Sequence, residues 1–307
     1  MRRFLPLIAL LACLAGCGGD ESRAGSRTAT IALDFQPNAV HAGIYSSGLR
    51  IRVPAASTDS LKLLAGGRAD MSVVDIHDLG LAREAGSDIV GVGALVQRPL
   101  AAVIARRGHV RRPRDLEGRR VGVTGLPSDE AVLRAVVEHD GGDYSRVKRI
   151  TIGFSAVPSL IAGKVDAVVA FWNAEGVTLR QRGIATREFR VDEYGAPRYP
   201  ELVLAVTRST LEKREALVTE MLAAIARGTE RALDRRGATI AELVRASGAD
   251  EPLMRAELSA VAPALRPPVR LDRAALHSWA RFDARFGILE AAPDLSRAFP
   301  SVSFEGP

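Results

Sequence analysis

Cysteine is almost missing from this sequence of 307 residues. The two cysteines, Cys13 and Cys17, both lie near the start, and none follows them. The chain beyond Cys17 therefore has no disulfide, no cysteine-bound zinc or iron cluster and no cysteine nucleophile. Thiol-dependent chemistry is excluded for that part of the chain.

Long apolar runs and basic clusters are also missing. The one extended apolar run, residues 4–14, is shorter than the roughly 20 residues that a membrane-spanning helix needs. The formal net charge of +6 comes from arginines that are spread along the chain, and no basic run is interleaved with aromatic residues. Nucleic acid is therefore not an expected partner. The content of 47% hydrophobic and 25% charged residues is enough to build a core.

The first residues have the organisation of an export signal. Arg2 and Arg3 precede the apolar run, and Leu-Ala-Gly-Cys ends at Cys17. This pattern predicts a signal peptide over residues 1–16. The last four residues resemble the bacterial lipobox, which implies acylation of Cys17 and anchoring to the outer face of the cytoplasmic membrane. The alternative is an ordinary secretory signal with an incidental cysteine. Residues 17–27 are small and polar, as in a flexible tether.

Strand and helix patterns alternate after the tether. Strands are predicted at 28–35, 49–53, 71–75, 89–96, 120–124, 149–154, 166–171 and 201–207, and a second unit begins after 101–104. Helices are predicted after Ser57 or Thr58 and after Ser128 as caps, and at 77–85, 156–163, 173–182, 209–235, 238–247, 250–262 and 272–286. This alternation is typical of parallel α/β sheets. Two such units joined by two crossings predict lobe 1 at 28–100 plus 203–307 and lobe 2 at 101–202.

The carboxyl ends of the predicted strands carry polar and aromatic residues. These ends are Asp34-Phe35, Asp75, Thr124-Gly125 and Phe171-Trp172. Ligands of open α/β sheets bind at such ends. A cleft between the lobes is therefore the predicted binding site.

Residues 33–45, LDFQPNAVHAGIY, carry a family resemblance. They are similar to the Leu-Asp-Trp-x-Pro-Asn-x-x-His-x-Gly-x-Tyr stretch of periplasmic binding proteins for thiamine pyrimidine precursors, a group that belongs with the sulfonate-binding proteins of ABC importers. The resemblance extends over about 28–230. Further matches follow in order at 63–75, 92–100, 115–123, 128–138, 157–169, 171–177 and 199–206.

The resemblance implies the two-lobed periplasmic-binding-protein type II fold, an α/β fold with a ligand cleft and a hinge near residues 98–105 and 201–207. It also implies a monomer without catalysis or cofactor, with a small-molecule ligand and an ABC permease as partners. Two departures stand out. About ten residues that relatives carry after Tyr45 are missing, so the first helix should be short. Phe35 stands where many relatives have tryptophan, which keeps an aromatic face but loses an indole donor.

Four aromatic side chains are candidates for stacking on a flat heteroaromatic ligand: Phe35, Tyr45, Trp172 and Tyr199. The chain has only two tryptophans, four tyrosines and nine phenylalanines, so their positions near strand ends carry weight. The alternative for each is packing in the core.

Three polar residues are candidates for contacts with the edge of such a ring. Asn38 and His41 follow Pro37, which restricts the backbone, and would hydrogen-bond ring nitrogens. Glu175 would accept hydrogen bonds from an exocyclic amine. The alternatives are helix capping for Asn38, a structural role for His41 and a solvated first-turn carboxylate for Glu175.

Five further polar residues lie at the predicted cleft. Asp34 and Asp75 end strands, Asp129 lies in the first turn of a helix, and Asn173 precedes another helix. Each of the three aspartates could instead serve only its neighbouring helix. Ser128, with the backbone N–H groups of the turn before it, could hold an anionic group.

The leading hypothesis is a solute-binding protein that captures a thiamine pyrimidine precursor for uptake. Riboflavin and a sulfonate such as taurine are alternative ligands. An enzyme related to the fungal pyrimidine synthases of thiamine biosynthesis is the alternative from another class. Those enzymes resemble this chain at residues 33–45 but carry a cysteine-rich iron motif, which is missing here.

Overall fold

The computed structural model describes residues 29–56, 59–108 and 110–304. The predicted signal peptide, the tether with Cys17, and the capping residues Ser57 and Thr58 lie outside these ranges. Within the described part, no helix combines the length and apolar character needed to cross a membrane.

The described strands form two five-stranded sheets. Numbered along the chain, the strands are β1 (Thr30–Ala32), β2 (Arg50–Arg52), β3 (Met71–Asp75), β4 (Ile89–Ala94), β5 (Ala101–Arg106), β6 (Arg120–Val123), β7 (Lys148–Thr151), β8 (Ala167–Phe171), β9 (Thr186–Arg190) and β10 (Leu202–Thr207). The first sheet has the order β2-β1-β3-β10-β4, and the second has the order β7-β6-β8-β5-β9. The lobe boundaries at residues 100 and 203 stay a prediction.

Both sheets are mixed, whereas we expected parallel sheets. In the first sheet β10 runs antiparallel to β3 and β4, and in the second β5 runs antiparallel to β8 and β9. These are the strands by which the chain enters each sheet from the other one. A strand that enters from the neighbouring sheet starts at the facing edge, so it runs against strands that end there. The expected two-sheet α/β architecture is otherwise confirmed.

Helices cover the sheets and form the C-terminal part. They are α1 (Ala42–Tyr45), α2 (Asp59–Ala65), α3 (Ile76–Glu84), α4 (Pro127–His139), α5 (Ala156–Ile161), α6 (Glu175–Gln181), α7 (Arg208–Lys213), α8 (Glu215–Asp234), α9 (Arg236–Ser247), α10 (Glu251–Val261), α11 (Arg273–Phe286) and α12 (Leu295–Ala298). The stretch predicted as one helix over 209–235 forms two helices, because the backbone leaves the helical conformation at Arg214. Strand β9 was not predicted.

The start of α4 also differs from the prediction. Ser128 was expected to cap this helix, but the helix begins one residue earlier at Pro127. Proline favours the first helical position because its φ angle is already helical and its missing N–H is not needed there. The capping hydrogen bonds come from Asp129, whose carboxylate accepts from the backbone N–H groups of Gly125 (2.9 Å) and Leu126 (3.2 Å).

Helix α1 is short, as expected, and packs against α8. A methyl group on Gly43 would lie 2.1 Å from the Thr229 hydroxyl oxygen, and one on Gly228 would lie 2.2 Å from the Gly43 carbonyl oxygen. Only glycine lets the two helices approach this closely. The glycine of the HAGIY stretch therefore serves helix packing, which holds the preceding loop against the body of the protein.

The two connections between the sheets touch each other through one carboxyl group. Glu201, at the start of the return to the first sheet, accepts hydrogen bonds from the backbone N–H groups of Leu100 and Ala101. The Ala101 bond is 2.7 Å long, and the Glu201 side chain is buried. Both crossings are thereby fixed relative to each other beside the cavity described next.

Candidate ligand-binding site

A cavity of about 360 Å³ lies between the two sheets at the ends of their strands. The first sheet contributes residues that follow β1 and β3, and the second contributes residues that follow β6, β7 and β8. The polar and aromatic residues that line it are Asp34, Phe35, Ser60, Asp75, Asp78, Thr124, Ser128, Asp129, Phe154, Phe171, Glu175 and Glu201.

Acidic side chains dominate the polar lining of this cavity. Six carboxyl groups line it, and they belong to Asp34, Asp75, Asp78, Asp129, Glu175 and Glu201. No lysine, arginine or histidine lines it among the described residues. Nor does any group of His, Cys, Asp and Glu within the described part have the arrangement of a metal site. The cavity is therefore rich in hydrogen-bond acceptors and unfavourable for anions.

The carboxyl groups on the first-sheet side are held by neighbouring groups. Asp34 Oδ1 lies 2.8 Å from His41 Nε2, and Asp75 Oδ1 accepts from the His77 backbone N–H (2.9 Å) at the start of α3. The Asn38 N–H donates to His41 Nδ1 (3.3 Å), so the ring proton that faces Asp34 sits on Nε2. The second oxygens of Asp34 and Asp75 accept no hydrogen bond from the described residues, and they remain available to a ligand.

The carboxyl groups on the second-sheet side are held in the same way. Asp129 accepts from the Thr124 hydroxyl (2.7 Å) besides capping α4. Glu175 Oε2 accepts from the Phe171 N–H (3.1 Å) at the end of β8. Asp78, from the first sheet, reaches across and lies 3.5 Å from the Ser128 hydroxyl at the start of α4. The cavity wall is thus continuous across the two sheets.

Burial changes the protonation of these groups. Burial raises the pKa of Asp78 to about 7 and that of Glu201 to about 7. The pKa of Asp75 lies well above its usual value for the same reason. Burial also raises the pKa values of Asp129 and Glu175. Asp78 and Glu201 are therefore partly protonated near neutral pH, because the burial of several like charges is unfavourable.

A buried histidine stands behind the first-sheet wall. His77 Nδ1 lies 2.7 Å from Asp283 of α11, and Nε2 lies 3.0 Å from the Tyr199 hydroxyl. Burial lowers the pKa of His77, but Asp283, Asp75 and Glu201 outweigh burial and raise it to about 9. The resulting positive charge lowers the pKa values of Asp75 and Glu201 in part. His77 was not predicted as a functional residue, because its partner Asp283 is 206 residues away.

Aromatic faces meet at the cavity from both sides. The Phe35 ring packs edge-to-face on Phe154, with ring centroids 4.3 Å apart. Phe35 follows β1, whereas Phe154 follows β7 of the other sheet. Phe171 adds a third ring at the end of β8. Phe154 ends a strand predicted at 149–154, so its position at a strand end is the signal that sequence analysis left unused.

The loop after Phe35 holds two predicted residues that support the site without lining it. The Asn38 side chain accepts from the Val40 N–H (2.9 Å) and so caps the following turn, which was its alternative role. His41 is fully buried and positions Asp34. Glu257 of α10, which sequence analysis missed, accepts from the Ala39 N–H (3.3 Å).

Three other predicted residues, Tyr45, Tyr199 and Asn173, also lie away from the cavity lining. Tyr45 is half-buried at the end of α1, where burial and then Glu242 raise its pKa to about 12. Tyr199 is fully buried and hydrogen-bonded to His77, as its alternative of core packing would have it, and its binding role stays a prediction. Asn173 is buried, and its side-chain amide has no hydrogen-bond partner among the described residues.

Trp172 belongs to the connection between the sheets rather than to the cavity. Its indole N–H donates to the Pro99 carbonyl (3.1 Å), and its backbone N–H donates to the Leu100 carbonyl (3.0 Å). The Arg190 guanidinium lies 4.3 Å from the ring centroid. Trp172 thus fixes the first crossing, and its stacking role stays a prediction. The predicted residues that do meet at the cavity are Asp34, Phe35, Asp75, Ser128, Asp129 and Glu175.

Comparisons with known proteins agree with this architecture. The periplasmic aliphatic sulphonate binding protein SsuA from Escherichia coli superimposes with a TM-score of 0.71 at 16% identity, over 91% of this chain and 94% of that one. The two sheets with a cavity between them thus define a protein with the periplasmic-binding-protein fold.

The family follows from sequence. The family model described as "NMT1/THI5 like" matches residues 46–236, and the chain belongs to this family. It is 30% identical over 239 residues to the formylaminopyrimidine-binding protein of Halalkalibacterium halodurans, covering 74% of this chain and 72% of the relative. It is 24% identical over 214 residues to the 4-amino-5-hydroxymethyl-2-methylpyrimidine phosphate synthase of Legionella pneumophila, covering 65% and 67%.

Proposed function

We propose that this protein is the solute-binding component of an ABC importer and captures a small amine-bearing heteroaromatic compound, with a thiamine pyrimidine precursor as the leading candidate. The observation that carries the proposal is the cavity lining: six carboxyl groups, and no basic side chain among the described residues. Such a site matches a ligand that presents several N–H donors.

The chemistry of an aminopyrimidine suits this lining. Its exocyclic amine donates two hydrogen bonds, and a protonated ring nitrogen donates another. The free oxygens of Asp34 and Asp75 would accept from one edge, and Glu175 would accept from the opposite side. The Phe35 ring offers a face for stacking. The relative named as a formylaminopyrimidine-binding protein supports the same ligand class.

The alternative ligands fit less well. A sulfonate is an anion and needs positively charged or N–H donors around it, whereas the lining is acidic. Riboflavin has three fused rings and a sugar-alcohol chain, while a cavity of about 360 Å³ lies near the lower end of the range for ligand sites. Both comparisons favour a single small ring.

Binding without catalysis is the proposed activity. One relative is named as a synthase, but the sequence has no cysteine after Cys17 for the iron motif of the fungal synthases. We propose instead that residues 1–16 export the chain, that acylated Cys17 anchors it at the outer face of the cytoplasmic membrane, and that the tether at 17–27 gives it reach to a permease. The two lobes would close on the ligand, and the closed, ligand-bound protein would dock on the permease.

A thermal-shift panel tests this proposal. The compounds are 4-amino-5-hydroxymethyl-2-methylpyrimidine, riboflavin and taurine, each added in excess to the purified protein. We expect only the aminopyrimidine to raise the melting temperature, since a ligand that binds only the folded state stabilises it. Stabilisation by taurine alone would refute the ligand class, and stabilisation by none of them would refute the solute-binding role for these classes.

A pair of variants makes the panel specific to the cavity. Glu175→Gln keeps the size of the side chain but removes the charge, so the shift with the aminopyrimidine should shrink strongly. Glu220→Gln is the matched control, because Glu220 is exposed on α8 and does not line the cavity. Equal shifts in both variants would show that the ligand binds elsewhere.

A further inference from the structure

The end of the second sheet opposite the cavity carries a cluster of exposed cations, which we call the basic end. It consists of Arg106, Arg107, Arg120, Lys148, Lys164 and Arg187, and all six are exposed. They are scattered over about 80 positions of the chain, which is why the sequence shows no basic run. The strand register brings them together.

The strand register places these residues at the same end of the strands of the second sheet. Arg120 of β6 pairs with Lys148 of β7, and Arg187 of β9 pairs with Ala105 beside Arg106 at the end of β5. Strands β6, β7, β8 and β9 all begin at this end of the sheet, and β5 ends there. The cavity residues follow the other ends of β6, β7 and β8, so the basic end lies about one strand length, roughly 15 Å, from the cavity.

Hydrogen bonds keep several of the cationic groups close together. The Arg106 and Arg120 guanidinium groups donate to the carbonyls of Ile161 (3.5 Å) and Gly163 (3.0 Å), in the turn that also carries Lys164. On the other side of β5, the Arg107 guanidinium donates to the Thr186 carbonyl (3.2 Å), next to Arg187. The cations thus form one surface.

Little negative charge balances this surface. Among the described residues, Arg120 is the only one of the six that forms an ion pair, with Asp166 at 3.5 Å. Elsewhere in the same half, arginines such as Arg112 and Arg149 are paired with carboxylates. Like charges at close range repel, so the cluster does not stabilise the fold. The basic end is also too far from the cavity for its side chains to contact a ligand bound there.

We propose that the basic end binds an anionic phospholipid surface. Clusters of lysine and arginine are attracted to anionic headgroups without needing a shaped partner. A membrane is also the surface that the proposed lipid anchor would bring near, and electrostatic attraction adds to an acyl anchor. The basic end would then orient the protein on that membrane.

Vesicle co-sedimentation tests the proposal with residues 18–307, which lack the acylated cysteine and retain every strand and helix that the structure describes. The probes are vesicles of phosphatidylcholine with and without phosphatidylglycerol, at low and high salt. We expect binding only to the anionic vesicles and its loss at high salt, because salt screens the attraction. Equal binding to both vesicle types, or to neither, would overturn the proposal.

Two triple variants locate the binding surface. Arg106→Glu/Lys148→Glu/Lys164→Glu should lower the partition to anionic vesicles at least about a hundredfold, given that each surface cation contributes about fivefold. Arg68→Glu/Lys213→Glu/Arg245→Glu makes the same change of net charge at exposed sites outside the second sheet and should lower it only a few-fold. Equal losses would show that net charge alone matters, which contradicts a specific surface.

Two control measurements complete the test of the vesicle binding. Circular dichroism checks that each triple variant is folded, and the corresponding glutamine variants replace any that is not, with an expected loss of about a hundredfold. A DNA duplex added as competitor should not displace the protein from anionic vesicles at equal charge concentration. Displacement by DNA would assign the basic end to nucleic acid and overturn the lipid proposal.

Discussion

The two ends of the second sheet differ in the sign of their charge and in how that charge is held. At the cavity end, Asp129 and Glu175 are buried or partly buried and fixed by hydrogen bonds. At the basic end, Lys148 and Lys164 extend into solvent. Buried charge is expensive and is kept where a specific partner needs it, whereas exposed charge costs little. The comparison assigns specific recognition to the first end and diffuse attraction to the second.

Removal of the buried positive charge should have the largest effect. His77→Gln leaves Asp283 without its partner and withdraws the positive charge behind Asp75. Breaking one side of a buried pair costs about 3–5 kcal/mol, and we expect a loss of this size in the free energy of unfolding. Urea denaturation measures it. His277→Gln, on the exposed face of α11, should change the free energy by less than about 0.5 kcal/mol. Equal effects would contradict the role of His77.

The pH dependence of stability should follow the acidic cavity. Asp78 and Glu201, with pKa values raised to about 7, hold protons in the folded state that the unfolded chain has released above its usual pKa near 4. The free energy of unfolding should therefore fall as the pH rises from about 5 to 7, on the order of 3 kcal/mol in total. His77, raised to about 9, adds stability that is complete below about pH 6.5 and is lost as the pH rises through about 9.

Chemical denaturation of the ligand-free protein across this range measures the slope. Asp78→Asn cannot titrate and should make the slope shallower by up to about 1.4 kcal/mol per pH unit. A parent protein that becomes more stable from pH 5 to 7 would show that the carboxyl groups are ionised and paired, against the account of the cavity.

Loss of a cavity carboxylate should weaken ligand binding. Asp34→Asn keeps the hydrogen bond with His41 in one orientation of the amide but removes a charged acceptor. A hydrogen bond to a charged group contributes about 1.5–3 kcal/mol, so the dissociation constant for the aminopyrimidine should rise by roughly 10- to 150-fold. Calorimetric titration measures it, with Asp234→Asn on the surface of α8 as the control. An unchanged constant would remove Asp34 from the site.

The aromatic contact should contribute less. Phe35→Leu keeps an apolar side chain but loses the ring that packs on Phe154 and faces the cavity. An aromatic pair contributes about 0.5–1.5 kcal/mol beyond burial, so the affinity should fall by about 2- to 12-fold. Phe304→Leu, near the end of the described chain, serves as the control in the same titration. A gain in affinity would mean that the ring obstructs the ligand.

The smallest effect should come from the basic end. Arg106→Glu/Lys148→Glu/Lys164→Glu lies roughly 15 Å from the cavity, beyond the screening length of about 8 Å at physiological salt. The dissociation constant for the aminopyrimidine should change by less than about twofold. A larger change in the titration would mean that the two ends of the sheet are coupled.

Most strands and helices were predictable because each depends on a pattern of neighbouring residues in the sequence. The short buried run at Met71–Asp75 and the helical spacing of apolar residues in α4 are both visible within a few consecutive residues. Strand direction was not predictable in this way, because β5 and β10 turn antiparallel through contacts with distant strands. The break at Arg214 was hidden by an uninterrupted helical pattern on both sides.

The site was predictable where it depends on strand ends and not where it depends on side-chain direction. Asp34, Phe35 and Asp75 reach the cavity because strand ends converge there. Trp172 follows a strand end as well, but its indole turns towards the Pro99 carbonyl. Asp78 and Glu201 could not be separated from ordinary surface carboxylates, because their burial arises from packing between the two sheets.

The sign of the ligand's charge is the central claim, and one titration tests it most directly. Calorimetry would compare 4-amino-5-hydroxymethyl-2-methylpyrimidine with its phosphate ester, which shares the ring and differs in charge. The acidic cavity predicts binding of the amine and binding of the phosphate ester at least about 100-fold weaker, equivalent to roughly 2.7 kcal/mol. Equal or tighter binding of the phosphate ester would contradict the account.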